Sequence, residues 1–245
     1  MMKKIFSLSL AISFMSTLTV ASENVHWGYA GNEGPENWAK LSSEFSACAG
    51  KNQSPVNLTD FIEADLNKIE FSYKPGGNEI INNGHSIQVN YEPGSTISLN
   101  GLSYGLKQFH FHSPSENRID SKSFPLEAHL VHTNQNGDIA VVAIMYTEGE
   151  ENGALARFWP LMPSESGVAK KLENIVSATA LLPTEHEYYL FNGSLTTPPC
   201  TEGVRWIVFK QPVTIAKKQV EAFKKIMHHD NNRPVQPVNA RPILQ

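Results

Sequence analysis

Apolar and polar residues alternate through most of the middle of the chain. Between Ser86 and Tyr91, the residues Ile87, Val89 and Tyr91 fall on one face of an extended segment, with Ser86, Gln88 and Asn90 on the other. Successive side chains of a strand point to opposite faces, so this spacing predicts a half-buried β-strand. Tyr104 to His112 and Leu126 to His132 read as two further strands. Ile139 to Tyr146 is apolar at every position, which predicts a strand covered on both faces in the middle of a large sheet. Asn134-Gln135-Asn136-Gly137 has the composition of a turn, so the last two strands are expected to form a hairpin.

Helical spacing is rarer. It is clearest from Ile215 to Met227, where Val220, Phe223, Ile226 and Met227 share a face opposite several lysines. Ala154 to Trp159 reads as a short helix stopped by Pro160, and Lys170 to Val176 as another. The segment from His26 to Asn57 is aromatic and rich in turns, with little periodicity, and is expected to form a lid held by Trp27 and Trp38. Prolines keep Arg233 to Pro237 extended. No repeat, low-complexity segment or linker divides the chain. The expected fold is mainly β (α+β): a single domain with a large twisted, mostly antiparallel central sheet of about ten strands and a few short peripheral helices.

The first residues break this pattern. Lys3 and Lys4 precede an apolar run, Ile5 to Val20, that ends in small residues at Ala21. That is the composition of a secretory signal peptide, and the run is too short and too rich in Ser and Thr for a stable membrane anchor. The expected division is a signal peptide over 1–21 and a mature domain over 22–245, exported and most simply periplasmic. Without Lys3 and Lys4 the 20 basic residues become 18 against 24 acidic ones, a formal charge of −6. An acidic chain with no basic cluster is a poor nucleic-acid binder. Export implies an oxidising compartment. The two cysteines, Cys48 and Cys200, are too far apart for a C-x-x-C motif or a zinc knuckle, so a structural disulfide is expected.

Candidate chemistry begins at Gln108-Phe109-His110-Phe111-His112. On a strand, Gln108, His110 and His112 stand in a row with Phe109 and Phe111 behind them, and imidazole nitrogens are zinc ligands. In Leu126 to His132, Glu127, His129 and Val131 share a face. If that strand pairs with the one before it through the loop 113–125, His129 meets the first two histidines. Three His ligands with an open fourth position is how catalytic zinc is held. Gln108 and Glu127 are then placed to accept the outer N–H groups of the imidazoles. A rival uses the same spacing: His110-x-His112-x-x-x-Glu116 matches the core of the cupin metal motif, in which the glutamate is itself a ligand of iron or manganese. The flanking glycines of that motif fall at other offsets here, and no later Gly-rich segment ends in a ligand histidine.

Several motifs, in this order and at these spacings, resemble the α-class carbonic anhydrases of exported bacterial type. They are Gln108-Phe109-His110-Phe111-His112, Ser115-Glu116, Glu127-Ala128-His129-Leu130-Val131-His132 and Gly193-Ser194-Leu195-Thr196-Thr197-Pro198-Pro199. The resemblance extends to Trp27-Gly28-Tyr29, Gly34 to Trp38, Gln53 to Asn57, Asn83-Gly84-His85 and Arg233-Pro234, nearly the whole mature chain. It implies reversible hydration of CO2 to bicarbonate and a proton by attack of zinc-bound hydroxide, with Zn2+ on His110, His112 and His129. It further implies Thr196 and Glu116 as an orienting pair and His85 as proton shuttle. Gln108, Glu127 and Asn231 become partners of the ligands, and Tyr29, Asn83 and Gln88 a water network. Val131, Val141, Leu195 and Trp206 become the CO2 wall, with Thr197 facing solvent or bicarbonate. From composition alone the four wall residues read as core and His85 as a surface histidine. Bacterial members also suggest a homodimer. Departures from animal members are Asn117 in place of His, Phe191 in place of Tyr and Asn232 in place of Trp, none at a ligand. Non-catalytic relatives lack at least one ligand histidine, and no dedicated nucleophile or acyl pocket favours ester hydrolysis as the main role.

Overall fold

The computed structural model describes residues 25–245, so the expected signal peptide lies outside the described residues. The strands in chain order are β1 (Asn57–Leu58), β2 (Glu70–Ser72), β3 (Gly77–Asn82), β4 (Ile87–Tyr91), β5 (Thr96–Leu99), β6 (Leu102–His112), β7 (Arg118–Ile119), β8 (Leu126–Thr133), β9 (Ile139–Glu148), β10 (Ala169–Val176), β11 (Tyr188–Ser194), β12 (Glu202–Phe209) and β13 (Val213–Ile215). The α-helices are short except the third: α1 (Trp38–Leu41), α2 (Gly153–Ala156) and α3 (Lys217–Met227).

Eleven strands form one sheet, with the order β10-β3-β4-β6-β8-β9-β12-β11 along its length. The pairs β3–β4, β4–β6, β6–β8, β8–β9 and β11–β12 are antiparallel, whereas β12 and β13 both run parallel to β9. A large, mostly antiparallel sheet with few helices is what the alternation predicts. Among the described residues, no helix is long and apolar enough to cross a membrane.

Strand β9 explains why one segment is apolar throughout. Ala140, Val142, Ile144 and Tyr146 face one core, and Val141, Ala143 and Met145 face the other. The first core also takes Phe109 and Phe111 from β6 and Val220, Phe223 and Met227 from α3. Alternation therefore places the polar row of β6 on the second face. The hairpin between β8 and β9 is closed by Asn134, whose N–H donates to the Asp138 carbonyl at 3.0 Å. The N-terminal lid packs through a third cluster, in which Trp38, Cys48 and Cys200 are surrounded by Trp27, Tyr29 and Phe45. Trp38 fixes the lid's path, since its indole N–H reaches the carbonyls of Gly28 and Glu33, each at 2.9 Å.

Two helical expectations are corrected. Lys170 to Val176 is not a helix but most of strand β10, paired antiparallel with β3 through Ala169–Ile81, Lys170–Ile80 and Lys171–Glu79. The register shifts between Lys171 and Val176, and within the strand only Leu172 and Val176 are buried. Two apolar residues four apart fit one face of a strand as well as one face of a helix, so period alone does not separate the two here. The second correction is a boundary. Helix α3 starts at Lys217, because Val213–Ile215 is drawn into the sheet as β13 beside β9.

Candidate metal centre

The strands β6 and β8 pair so that His110 lies directly opposite His129, and His112 opposite Glu127. The loop 113–125 joins them as the sequence requires. Across the sheet the same row continues from Gln88 on β4 through His110 and His129 to Ala143 on β9. The next row runs from Gln108 through Val131 and Val141 to Trp206 and Phe191. Polar ligands and an apolar wall are thus adjacent rows of one sheet face.

The three imidazoles converge, with one nitrogen from each of His110, His112 and His129 within 4.8 Å of the others. Their outer nitrogens are already engaged. His112 Nδ1–H donates to the Asn231 carbonyl at 2.7 Å, and His129 Nε2–H donates to Glu127 Oε1 at 2.8 Å. A carbonyl and a carboxylate can only accept, so these contacts assign the tautomers. His110 Nδ1–H donates to Gln108 Oε1 at 2.8 Å. The inner nitrogens, His110 Nε2, His112 Nε2 and His129 Nδ1, keep their lone pairs. Burial, and then the neighbouring imidazoles, push His110 and His129 well below the usual histidine range, and burial lowers His112 too. His112 Nε2 is buried with no hydrogen-bond partner. A buried lone pair without a donor is costly unless something takes it. Three neutral imidazoles aimed at one point fit a divalent metal of zinc type.

The partners are themselves held. Glu127 accepts the N–H groups of Glu116 and Asn117 at 2.7 and 2.9 Å and the Asn117 side-chain amide at 2.8 Å, besides His129. Burial raises its carboxyl to about 7, opposed by the hydrogen bonds from Asn117 and Glu116. Four donors surround its two oxygens, the arrangement of a carboxylate. Asn231 is the other fixed point. Its side-chain amide donates to the carbonyls of His85 and Phe111, each at 2.9 Å, and its Oδ1 accepts the Ser113 N–H at 2.9 Å.

Glu116 lies beside the triad. Its Oε2 is 3.6 Å from His112 Nε2 and 3.9 Å from His129 Nδ1, and its Oε1 accepts the Arg233 N–H at 2.8 Å. Burial pushes its carboxyl up to about 8, opposed by the Arg233 amide and, less strongly, by the Thr196 hydroxyl. Thr196 is buried in the loop between β11 and β12, five residues before the end of that loop, while Thr197 is half-buried beside it. The loop is tied to the lid by the Cys48–Cys200 disulfide, with Cα atoms 4.9 Å apart.

The wall residues fall together. Val141 and Trp206 are buried, Val131 and Leu195 pack against them, and the Trp206 ring meets His129 edge-on at 4.8 Å. His85 stands at the rim, stacked on Trp27 at 3.6 Å with the planes 8° apart. Burial first, then the charges of His26 and His229, lower its pKa. The Tyr29 hydroxyl is buried without a partner, and burial together with the Glu116 charge raises its pKa. Asn83 is exposed. Its Oδ1 accepts the N–H groups of His85 and Ser86, and its amide reaches Gln88 Oε1 at 3.3 Å, so it chiefly shapes the turn that carries His85.

Two groups escape a reading by period. Arg233 is fully buried, donating from Nη1 to Gln53 Oε1 and the Ser54 carbonyl, both at 2.8 Å, and from Nη2 to the Cys48 carbonyl at 3.0 Å. Trp27 reads as a lid anchor in the sequence, yet its ring face is against His85. Both contacts join segments remote in the chain, and no local spacing signals them.

The model of the eukaryotic-type carbonic anhydrase family matches residues 33–245. A carbonic anhydrase of Neisseria gonorrhoeae is 50% identical over 224 residues, covering 91% of this chain and 88% of its own. One from Pectobacterium carotovorum is 47% identical over 244 residues, covering 99% of this chain and all of its own. Among solved structures, the α-carbonic anhydrase of Thermovibrio ammonificans, in complex with the inhibitor sulfanilamide, superposes with a TM-score of 0.89 at 45% identity. That match covers 91% of this chain and all of the other.

Proposed function

Because the chain belongs to the eukaryotic-type, or α-class, carbonic anhydrase family, we propose that it hydrates CO2 reversibly to bicarbonate and a proton at a zinc ion on His110, His112 and His129. The observation that carries this reading is the convergence of three inner nitrogens whose outer N–H groups are all donated. Zinc at that point would supply the Lewis acidity that lowers the pKa of a water from 15.7 to about 7.

The chain's own residues orient and select. In this reading Thr196 donates a hydroxyl hydrogen bond to Glu116, whose Oε2 is otherwise without a partner, so toward the site the threonine oxygen can only accept. That preference admits a protic group and fixes which way its remaining lone pair points. Val131, Val141, Leu195 and Trp206 offer apolar CO2 a surface beside that lone pair. Thr197, at the open side, meets bicarbonate or solvent. Gln108, Glu127 and Asn231 hold the rings in their tautomers, and Tyr29 and Gln88 order the water beyond. His85 takes the proton outward, since imidazole titrates near neutrality. The mature domain, 22–245, works after export, where the Cys48–Cys200 disulfide is stable.

Stopped-flow CO2 hydration by the zinc-loaded protein tests this reading directly. A kcat/KM in the enzymatic range, about 10⁴–10⁸ M⁻¹s⁻¹, is expected. A rate no better than buffer from protein carrying one zinc per chain overturns it. His85→Ala is expected to slow turnover in weak buffer, with recovery on adding imidazole; turnover that ignores the substitution makes His85 a surface residue. Thr196→Val keeps shape but loses the hydroxyl. The expected loss is about 10²-fold in kcat/KM with zinc content unchanged, the size of removing one preorganised hydrogen-bonding group.

A further inference from the structure

We propose that His229 is a second proton acceptor at the mouth of this site, reached from Tyr29 in parallel with His85. The inference rests on the carbonic anhydrase reading above and assigns a new residue to its proton path. Helix α3 ends where His228 turns left-handed, at φ 61°, with its N–H returned to the Lys224 carbonyl at 3.0 Å. That turn swings His229 to the rim, and its ring centre lies 5.8 Å from that of Tyr29. The Tyr29 ring is also 6.5 Å from that of His85. Tyr29 is thus the common neighbour of the two histidines: its hydroxyl is buried, where the Glu116 charge acts on it, and its ring faces both imidazoles. His229 Nδ1–H donates to the Asp230 carbonyl at 3.1 Å, which leaves Nε2 as the basic nitrogen of an exposed ring.

The two acceptors differ in kind. His85 is half-buried and stacked on Trp27, and its pKa is lowered by burial and by His26 and His229. A base weakened in this way takes a proton reluctantly, so a second base on the same path relieves the step. The other charges around His229 are accounted for. His26 faces Glu33 at 3.1 Å, and the Asp230 carboxylate lies 3.8 Å from Lys224. His228 is exposed on the adjoining turn, and Glu116 lies on the inner side of Tyr29. Each CO2 hydrated releases one proton. It passes through water at the mouth of the site, beside the Tyr29 ring, to Nε2 of His229, which becomes imidazolium and yields it to buffer; no other bond changes.

The test compares wild type, His85→Ala, His229→Gln and the double variant, each zinc-loaded. Buffer-limited turnover is measured with and without imidazole, and the histidine ring protons are followed by NMR through a pH titration. His85→Ala is expected to keep part of the turnover, and the double variant to fall a further several-fold with kcat/KM unchanged, imidazole restoring both. In the NMR titration, His229→Gln is expected to raise the His85 pKa, because a like charge has been removed. A double variant no slower than His85→Ala overturns the proposal, as does a His85 titration that ignores His229→Gln. A wild type without CO2 hydration overturns the underlying reading instead, and the NMR coupling would still report whether the two histidines interact.

Discussion

His129→Ala is expected to lose zinc and to fall to the uncatalysed rate of CO2 hydration. His129 is the histidine that joins two strands into one site. It lies opposite His110 in the sheet, and its ring centre is 4.6 Å from that of His112. Its other nitrogen donates to Glu127, which in turn holds the backbone of Glu116 and Asn117. Alanine leaves two neighbouring histidines, which cannot define a tetrahedral site with one open position. Loss of an outer partner alone typically costs 10–100-fold in metal affinity or activity, and loss of a ligand costs more. Glu127→Gln supplies the comparison, with weakened zinc retention of about 10–100-fold and partial activity. Zinc content after dialysis against a weak chelator, read beside stopped-flow rates, separates the two variants. Circular dichroism would establish that both are folded. A His129→Ala protein that keeps one zinc and hydrates CO2 would remove His129 from the ligand set.

The second large effect concerns stability. Cys48 and Cys200 close a loop with a sequence separation of 152 residues. In the chain-entropy account such a cross-link is worth about 5 kcal/mol, which approaches the whole stability of many domains. The bridge also sits among contacts that fix the lid. The Cys200 carbonyl accepts from Gln53 at 3.1 Å, and the Cys48 carbonyl accepts from Arg233 at 3.0 Å. Reduction, or Cys48→Ser with Cys200→Ser, is expected to lower Tm by roughly 10–20 °C for a domain of this size. Scanning calorimetry with and without reductant measures it. The ligands are not part of the bridge, so the variant that remains folded at low temperature should still bind one zinc. An unchanged Tm would mean that the lid is held by packing alone.

Much of this arrangement is legible in the sequence, for a physical reason. Strand alternation is a local property, so Gln108, His110 and His112 could be set on one face and Phe109 and Phe111 on the other without knowing any contact. Ile139 to Tyr146 announces its central place because both faces must be apolar. The pairing of His129 with His110 is less local, and only the shared motif and a short loop suggest it. Three features lie beyond such reasoning. Leu172 and Val176, four apart in β10, fit a helix face as well as a strand face. Asn117 reads as a departure from animal relatives, yet its amide completes the cage of donors on Glu127. Arg233 shows only as part of a motif, and its burial against Gln53, Ser54 and Cys48 follows from a path that no periodicity encodes.

The partners of the centre also set an order of assembly. His112 is held by the carbonyl of a residue 119 positions later, and Glu116 by the amide of one 117 positions later. Both come after helix α3. A nascent chain that has made all three histidines still lacks the groups that lock one imidazole and steady the neighbouring carboxylate. The strands can pair without those groups, but the centre is complete only when the segment carrying Asn231 and Arg233 docks. Metal capture before that moment would meet a His112 ring still free to turn, so faithful metal loading belongs to the completed fold.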